Sequence, residues 1–292
     1  MQGTRDIKRR IKSVRSTQQI TRAMKMVAGA RLRKAQARVL SARPYARAME
    51  QVFGQLVEIA GEAQDAAELH PLLARRSGGR VLYIVVGADR GLAGGYNANV
   101  MKLALHDAEE FSDAGYLAIG RKARDFLRFR RLRLRGEFMQ TDEPDYGLAR
   151  TVVSHVAEMF ANNEVDEVRL VYSRFISVMT QRPTVVKLLP LVTPASEKRH
   201  TFAREITFEP SAREMLALLI PKYLETIVFH AMMEGKAGEF GARMTAMDAA
   251  TRNAEEMIET LTLSYNRARQ AAITTEITEI VGGAKALEAA RT

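Results

Sequence analysis

Apolar residues at the start of the chain recur every three or four positions, which is the spacing of one face of an α-helix. The members of this stripe are Ile7, Ile11, Val14, Met24, Val27, Leu32 and Val39. The pattern continues beyond Pro44, where we expect the proline to bend the helix. More than fifty helical residues span about 80 Å, which is typical of a coiled coil or stalk. We therefore predict an N-terminal coiled-coil helix over residues 1–65.

A second long helical pattern occupies the end of the chain and predicts a C-terminal coiled-coil helix over residues 211–292. Ser211 and Glu214 have capping-box spacing, which predicts the start of the helix. Pro221 should kink it, and the glycine pair at 282–283 should stop it. Its apolar stripe includes Leu224, Val228, Met232, Phe240, Met247, Ala254, Ile258, Leu261, Ile273, Ile277, Ile280 and Val281.

The hydrophobic pattern changes between the two predicted terminal helices, which we call the arms: here short apolar runs alternate with helical patterns. The predicted strands are 81–86, 116–119, 168–172 and 185–189, the last two forming a pair around a turn. Helical patterns begin near Val100 and cover 151–160. Strands alternating with helices predict a small α/β (Rossmann-like) foot domain with a largely parallel sheet over 80–195. Linkers at 66–79 and 196–210 flank it.

Charge indicates how the arms are arranged. The formal net charge is +10, and no acidic residue occurs between Ile7 and Met49. From Glu205 to Thr292 there are 13 acidic and 9 basic residues. A basic helix and a mildly acidic one favour an antiparallel pair. The predicted fold class is therefore α+β, or mixed: a long antiparallel coiled coil of the terminal helices with the small α/β domain inserted.

The polar turn at 16–19 interrupts the N-terminal stripe, and dense like charges surround it, so this helix needs a partner surface. An ordinary solvated basic face is an equally simple interpretation. A basic coiled-coil protein that binds nucleic acid is the alternative function, although stacking aromatics and a known reader motif are missing.

Candidate chemistry is sparse. There is no cysteine, and the five histidines do not cluster, so no metal site is predicted. The glycine-rich loop at 87–97 could cradle a phosphate in a small α/β enzyme, but it matches neither nucleotide-binding fingerprint, and the pattern favours a tight strand-to-helix turn. No catalytic or cofactor-binding residue is predicted. No apolar run approaches the roughly 20 residues that span a bilayer, so direct membrane insertion is not expected.

Five segments together closely resemble the gamma subunit of F-type ATP synthase. They are Ile7–Val14 (IKRRIKSV), Thr17–Ala28 (TQQITRAMKMVA), Asp89–Asn97 (DRGLAGGYN), Arg243–Met247 (RMTAM) and Tyr265–Ala284 (YNRARQAAITTEITEIVGGA). The resemblance covers essentially the whole chain and is strongest at its ends. It implies a left-handed antiparallel coiled coil that acts as a central rotor shaft and couples ion flow through the membrane ring to ATP synthesis.

The same resemblance implies partners and contact residues. The tip would turn inside the ring of alpha and beta subunits, and the foot would bind epsilon and rest on the c-ring. Met24 and Lys25 would face the acidic lever of a beta subunit, while Arg243, Gln270, Thr274 and Glu276 would contact the inner loops of the ring. The chain would be non-catalytic, without cofactors and without nucleic acid. It would lie peripherally on the cytoplasmic side of a bacterial inner membrane.

Overall fold

The computed structural model describes residues 4–61, 70–76, 78–140, 143–191 and 212–289, with backbone only at 58–61, 212–213 and 285–289. The helices are α1 (Thr4–Gly61), α2 (Tyr96–Ala108), α3 (Arg121–Phe129), α4 (Tyr146–Ala161) and α5 (Ala212–Ala289), with a 3₁₀ turn at Pro71–Leu73. The strands are β1 (Arg80–Val86), β2 (Asp113–Ile119), β3 (Leu134–Phe138), β4 (Glu167–Phe175) and β5 (Gln181–Leu189).

Five strands form one mixed sheet in the order β3-β2-β1-β4-β5. The pairs β1–β2, β1–β4 and β2–β3 are parallel, and β4–β5 is antiparallel. Strand β1 is central and apolar, and it is buried from Val81 to Val86. Burial on both faces is what a continuous apolar strand requires. The predicted fold class is confirmed, as is the pairing of β4 with β5.

Helices cover both faces of the sheet. On one face, Tyr83 and Val85 pack in a cluster with Val100 and Met101 of α2 and Leu127 of α3. The residues of the other face meet α1, α4 and α5 in a larger cluster that includes Phe53, Leu82, Ile84, Phe160, Leu224 and Val228. The long helices therefore belong to the core of the sheet as well as to the predicted coiled coil.

The chain divides into two compact units. The terminal unit joins Met1–Val27 to Ala246–Thr292, and the sheet unit is Ala28–Thr245. In each of them α1 and α5 run antiparallel. In the terminal unit Thr21 meets Thr251 and Lys25 meets Asp248, and in the sheet unit Phe53 stacks on Tyr223. The five-part division of the chain stays a prediction, and the start of the second arm at Ser211 and the linker at 196–210 lie outside the described residues.

Three details of the sequence interpretation are wrong. Helix α5 continues to Ala289 through Gly282, because glycine weakens a helix but stops it only when the chain turns left-handed there. Val27 is 55% exposed while Ala28 is buried, because the seam follows the 3.5-residue repeat through 21, 25, 28 and 32. Strand β3 and helix α3 were not anticipated, because basic residues occupy four of the nine positions of α3, and β3 is short, with a glycine and two charged residues among its five positions.

By length and composition alone, one described helix could cross a membrane. Between Glu214 and Ala284, α5 contains an 18-residue window of mean hydropathy 1.4, and half of that window is buried within the protein. The sequence expectation concerned an uninterrupted apolar run of about 20 residues, and charged residues such as Lys222 and Glu225 interrupt the apolar part of α5. A helix that passes through a protein core has the same composition, and the residues of α5 in the large cluster do so.

Candidate functional site

Lys25 lies on α1 in the terminal unit and is anchored by α5. Its Nζ donates to Asp248 Oδ1 at 2.5 Å, and the lysine side chain remains 43% exposed. The hydrogen bond from Lys25 lowers the pKa of Asp248. Arg252 Nη1 lies 3.4 Å from the other carboxylate oxygen of Asp248. Lys25 is therefore held in position while part of its side chain stays exposed, and Met24 beside it is half-buried.

A pair of hydroxyl groups joins the helices one turn away. Thr251 lies 2.8 Å from Thr21, Oγ1 to Oγ1, and its hydroxyl also reaches the Met247 carbonyl at 2.7 Å. Thr21 is only 8% exposed and donates to the carbonyl of Gln18 at 3.0 Å. Thr21 therefore reaches the seam just after the polar turn at 16–19, in which the side chains of 16, 17 and 19 are exposed.

The C-terminal part of α5, residues 270–284, is exposed along its whole length and is called here the bare end of α5. Every residue from Ala271 to Ala284 is exposed, and so is Gln270. Thr274 Oγ1 donates to the Gln270 carbonyl at 3.0 Å, and Glu276 stands in the same exposed stretch. Its apolar residues follow helical spacing: Ile273, Ile277, Ile280 and Val281 are 43–66% exposed. Helix α1 does not cover these four residues. A row of exposed apolar residues marks a surface that another chain covers.

Arg243 belongs to the sheet unit and lies inside it, with its side chain 10% exposed. Its Nη2 donates to Glu239 Oε1 at 2.7 Å and to the carbonyl of Gly91 at 3.2 Å. Lys236 Nζ lies 3.1 Å from Glu239 Oε2 and 3.9 Å from Asp89 Oδ2. Buried charges require such partners. The spacing of 236, 239 and 243 is the spacing of helical neighbours, a signal that the sequence analysis overlooked.

The glycine-rich loop packs against α5. Tyr96 Oη donates to the carbonyl of Gly235 at 2.7 Å, and a Cβ at Gly235 or Gly238 would approach the tyrosine to 3.2 Å. Burial raises the pKa of Tyr96. Within the loop, the backbone N–H of Ala88 donates to Asn97 Oδ1 at 2.9 Å. These contacts fit a docking turn between strand and helix better than an open phosphate cradle.

The predicted contact residues do not form one pocket. Asp248, which marks the level of Lys25, and Gln270 are 22 positions apart on α5, or about 33 Å along the axis. The predicted contact residues of the terminal unit therefore fall on two separate exposed regions, one around Lys25 and one on the bare end of α5. Among the described residues, no group of three or more His, Cys, Asp or Glu could hold a metal ion.

Known proteins resemble the chain over nearly all of its length. A family profile described as ATP synthase matches residues 3–287. The ATP synthase gamma chain of Desulfitobacterium hafniense is 52% identical over 291 residues, which cover 99% of this chain and all of the relative. The chain belongs to the ATP synthase gamma chain family. The gamma chain of Pelotomaculum thermopropionicum is 49% identical over 290 residues, again covering 99% of this chain and all of the relative.

Solved structures show that the gamma chain fold is shared. A chain from the mitochondrial ATP synthase of Euglena gracilis (OSCP/F1/c-ring) superposes with a TM-score of 0.70 at 18% identity, covering 99% of this chain and 96% of that one. A chain from the Tetrahymena thermophila mitochondrial ATP synthase (central stalk/c-ring) superposes with a TM-score of 0.60 at 21% identity. The superposition covers 79% of this chain and 99% of that one. Nothing in these likenesses supports the nucleic-acid-binding alternative.

Proposed function

We propose that the chain is the central rotor stalk of an F-type ATP synthase, coupling ion flow through a membrane ring to ATP synthesis. The observation that carries the proposal is its match to bacterial gamma chains over 99% of its length. The chain itself is non-catalytic. Its partners are the alpha and beta subunits, epsilon and the c-ring, and it lies peripherally on the cytoplasmic side of a bacterial inner membrane.

The bare end of α5 suits a shaft tip that turns inside a ring of other subunits. Its side chains from 271 to 284 are exposed, and its apolar members lie on one side of the helix. A tip whose sides differ can present an apolar face to one subunit and a threonine- and glutamate-bearing face to the next. Each catalytic subunit would then have a nucleotide affinity that depends on which face it meets, a coupling between sites carried by a stiff element.

The surface around Lys25 suits a contact that forms and breaks at each step. Exposed ion pairs contribute only about 0–1 kcal/mol, so they do not trap a rotor. Asp248 holds Lys25 at 2.5 Å and has Arg252 at 3.4 Å as a second partner. The ammonium could therefore turn toward an acidic lever of a beta subunit without leaving Asp248 uncompensated. Asp248 then acts as the resting partner of Lys25 between contacts.

Reconstitution tests the proposal directly. The full chain is mixed with alpha and beta subunits of the Desulfitobacterium hafniense enzyme, and co-purification and ATP hydrolysis are measured. We expect a stable complex that hydrolyses ATP faster than alpha and beta alone. A chain that does not co-purify, or that leaves hydrolysis unchanged, would contradict the proposal.

A matched pair of variants tests the tip. Thr274 and Thr275 are adjacent and exposed, and each hydroxyl donates to the carbonyl four residues earlier at 3.0 Å. Thr274→Ala and Thr275→Ala therefore perturb the helix equally while changing different faces. We expect Thr274→Ala to slow ATP hydrolysis by the complex and Thr275→Ala to leave it nearly unchanged. Equal effects would remove Thr274 from the contact surface.

A further inference from the structure

The basic segment 121–138, which comprises α3, the turn after it and β3, is a strongly basic stretch outside the N-terminal helix. It carries eight basic residues and two acidic ones, a net charge of +6, within a chain whose net charge is +10. Strand β3 is an edge strand of the sheet, so the segment lies at the rim of the sheet unit. Neither the packing of the sheet nor the predicted coiled coil accounts for this charge.

Four consecutive residues of the basic segment, Arg128, Phe129, Arg130 and Arg131, are exposed. Phe129 is 84% exposed, more than any other large apolar residue that the structure describes. Apolar side chains of α3 that the fold needs, Ala123 and Leu127, are buried on the opposite side. Phe129 therefore contributes almost nothing to the core, and arginines flank it in the sequence.

The turn after α3 gives a second, independent observation. Helix α3 ends with the Leu132 N–H on the Leu127 carbonyl at 3.1 Å and the Arg131 N–H on the Arg128 carbonyl at 2.9 Å. Arg131 adopts φ 55°, the left-handed position of this helix end, where glycine is favoured. An arginine there is conformationally costly. The backbone would accept glycine more readily, so the fold does not require a side chain at this position.

Several cations of the segment are not used by neighbouring carboxylates. Arg128 pairs with Glu137 at 2.7 Å, and Arg133 pairs with Asp113 at 2.8 Å. Among the described residues, Lys122, Arg130 and Arg131 have no carboxylate oxygen within 4.0 Å. Guanidinium groups suit phosphate because their planar donors match its oxygens.

We propose that the basic segment, centred on Phe129, binds the anionic phospholipid headgroups of the membrane that carries the complex. The guanidinium groups of Arg130 and Arg131 would bind lipid phosphates. The ring of Phe129 would enter the membrane–water interface, where aromatic rings partition favourably. Each basic residue near an anionic leaflet contributes about a fivefold gain in binding. The proposal rests on the proposed function, which brings the chain to a membrane.

A local probe tests this contact. The chain has no tryptophan, so Phe129→Trp introduces a single tryptophan that can be excited selectively in the full-length protein. It is mixed with vesicles of phosphatidylcholine alone, or with phosphatidylglycerol added, carrying brominated acyl chains that quench inserted tryptophan. Met179→Trp is the control, because Met179 is 76% exposed in the β4–β5 hairpin. We expect quenching and a blue shift at position 129 with anionic vesicles, and neither at position 179.

Charge variants in the Phe129→Trp background complete the test. Arg131→Gly should lower the apparent affinity for anionic vesicles about fivefold without loss of thermal stability, and Arg130→Ser with Arg131→Gly about 25-fold. Arg10→Ser removes an exposed charge from α1 and should change the affinity less than twofold.

Several results would overturn the lipid contact. They are equal quenching at positions 129 and 179, quenching without anionic lipid, an equal loss with Arg10→Ser, or a fluorescence change with double-stranded DNA and none with vesicles. Failure to assemble with alpha and beta subunits would instead count against the proposed function, because the vesicle experiment needs only the chain itself.

Discussion

Glu239 is the residue whose loss should damage the sheet unit most. Its side chain is 4% exposed, and its two oxygens hold Arg243 at 2.7 Å and Lys236 at 3.1 Å. Glu239→Gln keeps the shape and removes the charge. Breaking a buried ion pair by removing one partner costs about 3–5 kcal/mol, because it leaves a buried charge uncompensated.

The structure places the expected cost at the lower end of that range. Without the Glu239 charge, Lys236 still has the Asp89 carboxylate at 3.9 Å and the ring of Phe240 at 5.7 Å. Arg243 still donates to the Gly91 carbonyl. We therefore expect Glu239→Gln to lower the free energy of unfolding by about 3 kcal/mol. With a urea dependence of about 2–3 kcal/mol per molar, the midpoint should fall by about 1–1.5 M.

Urea unfolding followed by near-UV circular dichroism of the buried tyrosines measures this change. Asp125→Asn is the control, because it neutralises a carboxylate that pairs with Arg124 at 2.8 Å but is 53% exposed. An exposed pair contributes about 0–1 kcal/mol, so the control should barely move the midpoint. Equal shifts for the two variants would refute the reasoning that burial decides the cost.

Three further variants test other parts of the structure. Burial raises the pKa of the Glu234 carboxyl above its ordinary value of 4.5. The folded chain therefore holds the carboxyl proton more tightly than the unfolded chain does. As a result, the free energy of unfolding falls as the pH rises from about 4.5 through the folded pKa. Glu234→Gln should remove that slope in urea titrations and stabilise the protein at pH 7; an unchanged slope would contradict it. A Cβ added at Gly235 would lie 3.2 Å from the Tyr96 hydroxyl oxygen, so Gly235→Val crowds this contact and should lower the free energy of unfolding by about 1–3 kcal/mol. Ala237→Gly, in the same helical turn, is the control for helix propensity. Met24→Lys adds a cation beside Lys25 and should change the ratio of ATP made to ions moved in a reconstituted enzyme more than it changes assembly; unchanged coupling would count against placing Met24 at the lever.

The sequence predicted the elements whose period is strong. The apolar run at 81–86 and the long stripes of both arms are signals of burial, and the structure has β1, α1 and α5 there. Strand β3 and helix α3 were missed because an amphipathic helix nine residues long, with only Ala123 and Leu127 buried, leaves too few apolar positions to define a period.

The predicted contact residues show what a local sequence pattern cannot reveal, which is whether another part of the fold covers a given side chain. Periodicity places Ile273 and Ile277 on a helical face, but it cannot say whether another helix covers that face, and both are exposed. Likewise the residue type of Arg243 suggests a surface contact, while its depth depends on Glu239 and on a loop about 150 positions earlier. Such long-range contacts follow from the fold and are not visible in a local pattern.

The central claim is that this chain turns inside a ring of alpha and beta subunits. The chain has no cysteine, so His106→Cys, at an exposed position near the end of α2, gives one attachment point for a bead in the reconstituted complex. Video microscopy with ATP supplied would follow the bead on surface-fixed complexes. We expect the bead to rotate in one direction while ATP is hydrolysed. A complex that hydrolyses ATP while its bead stays still would contradict it.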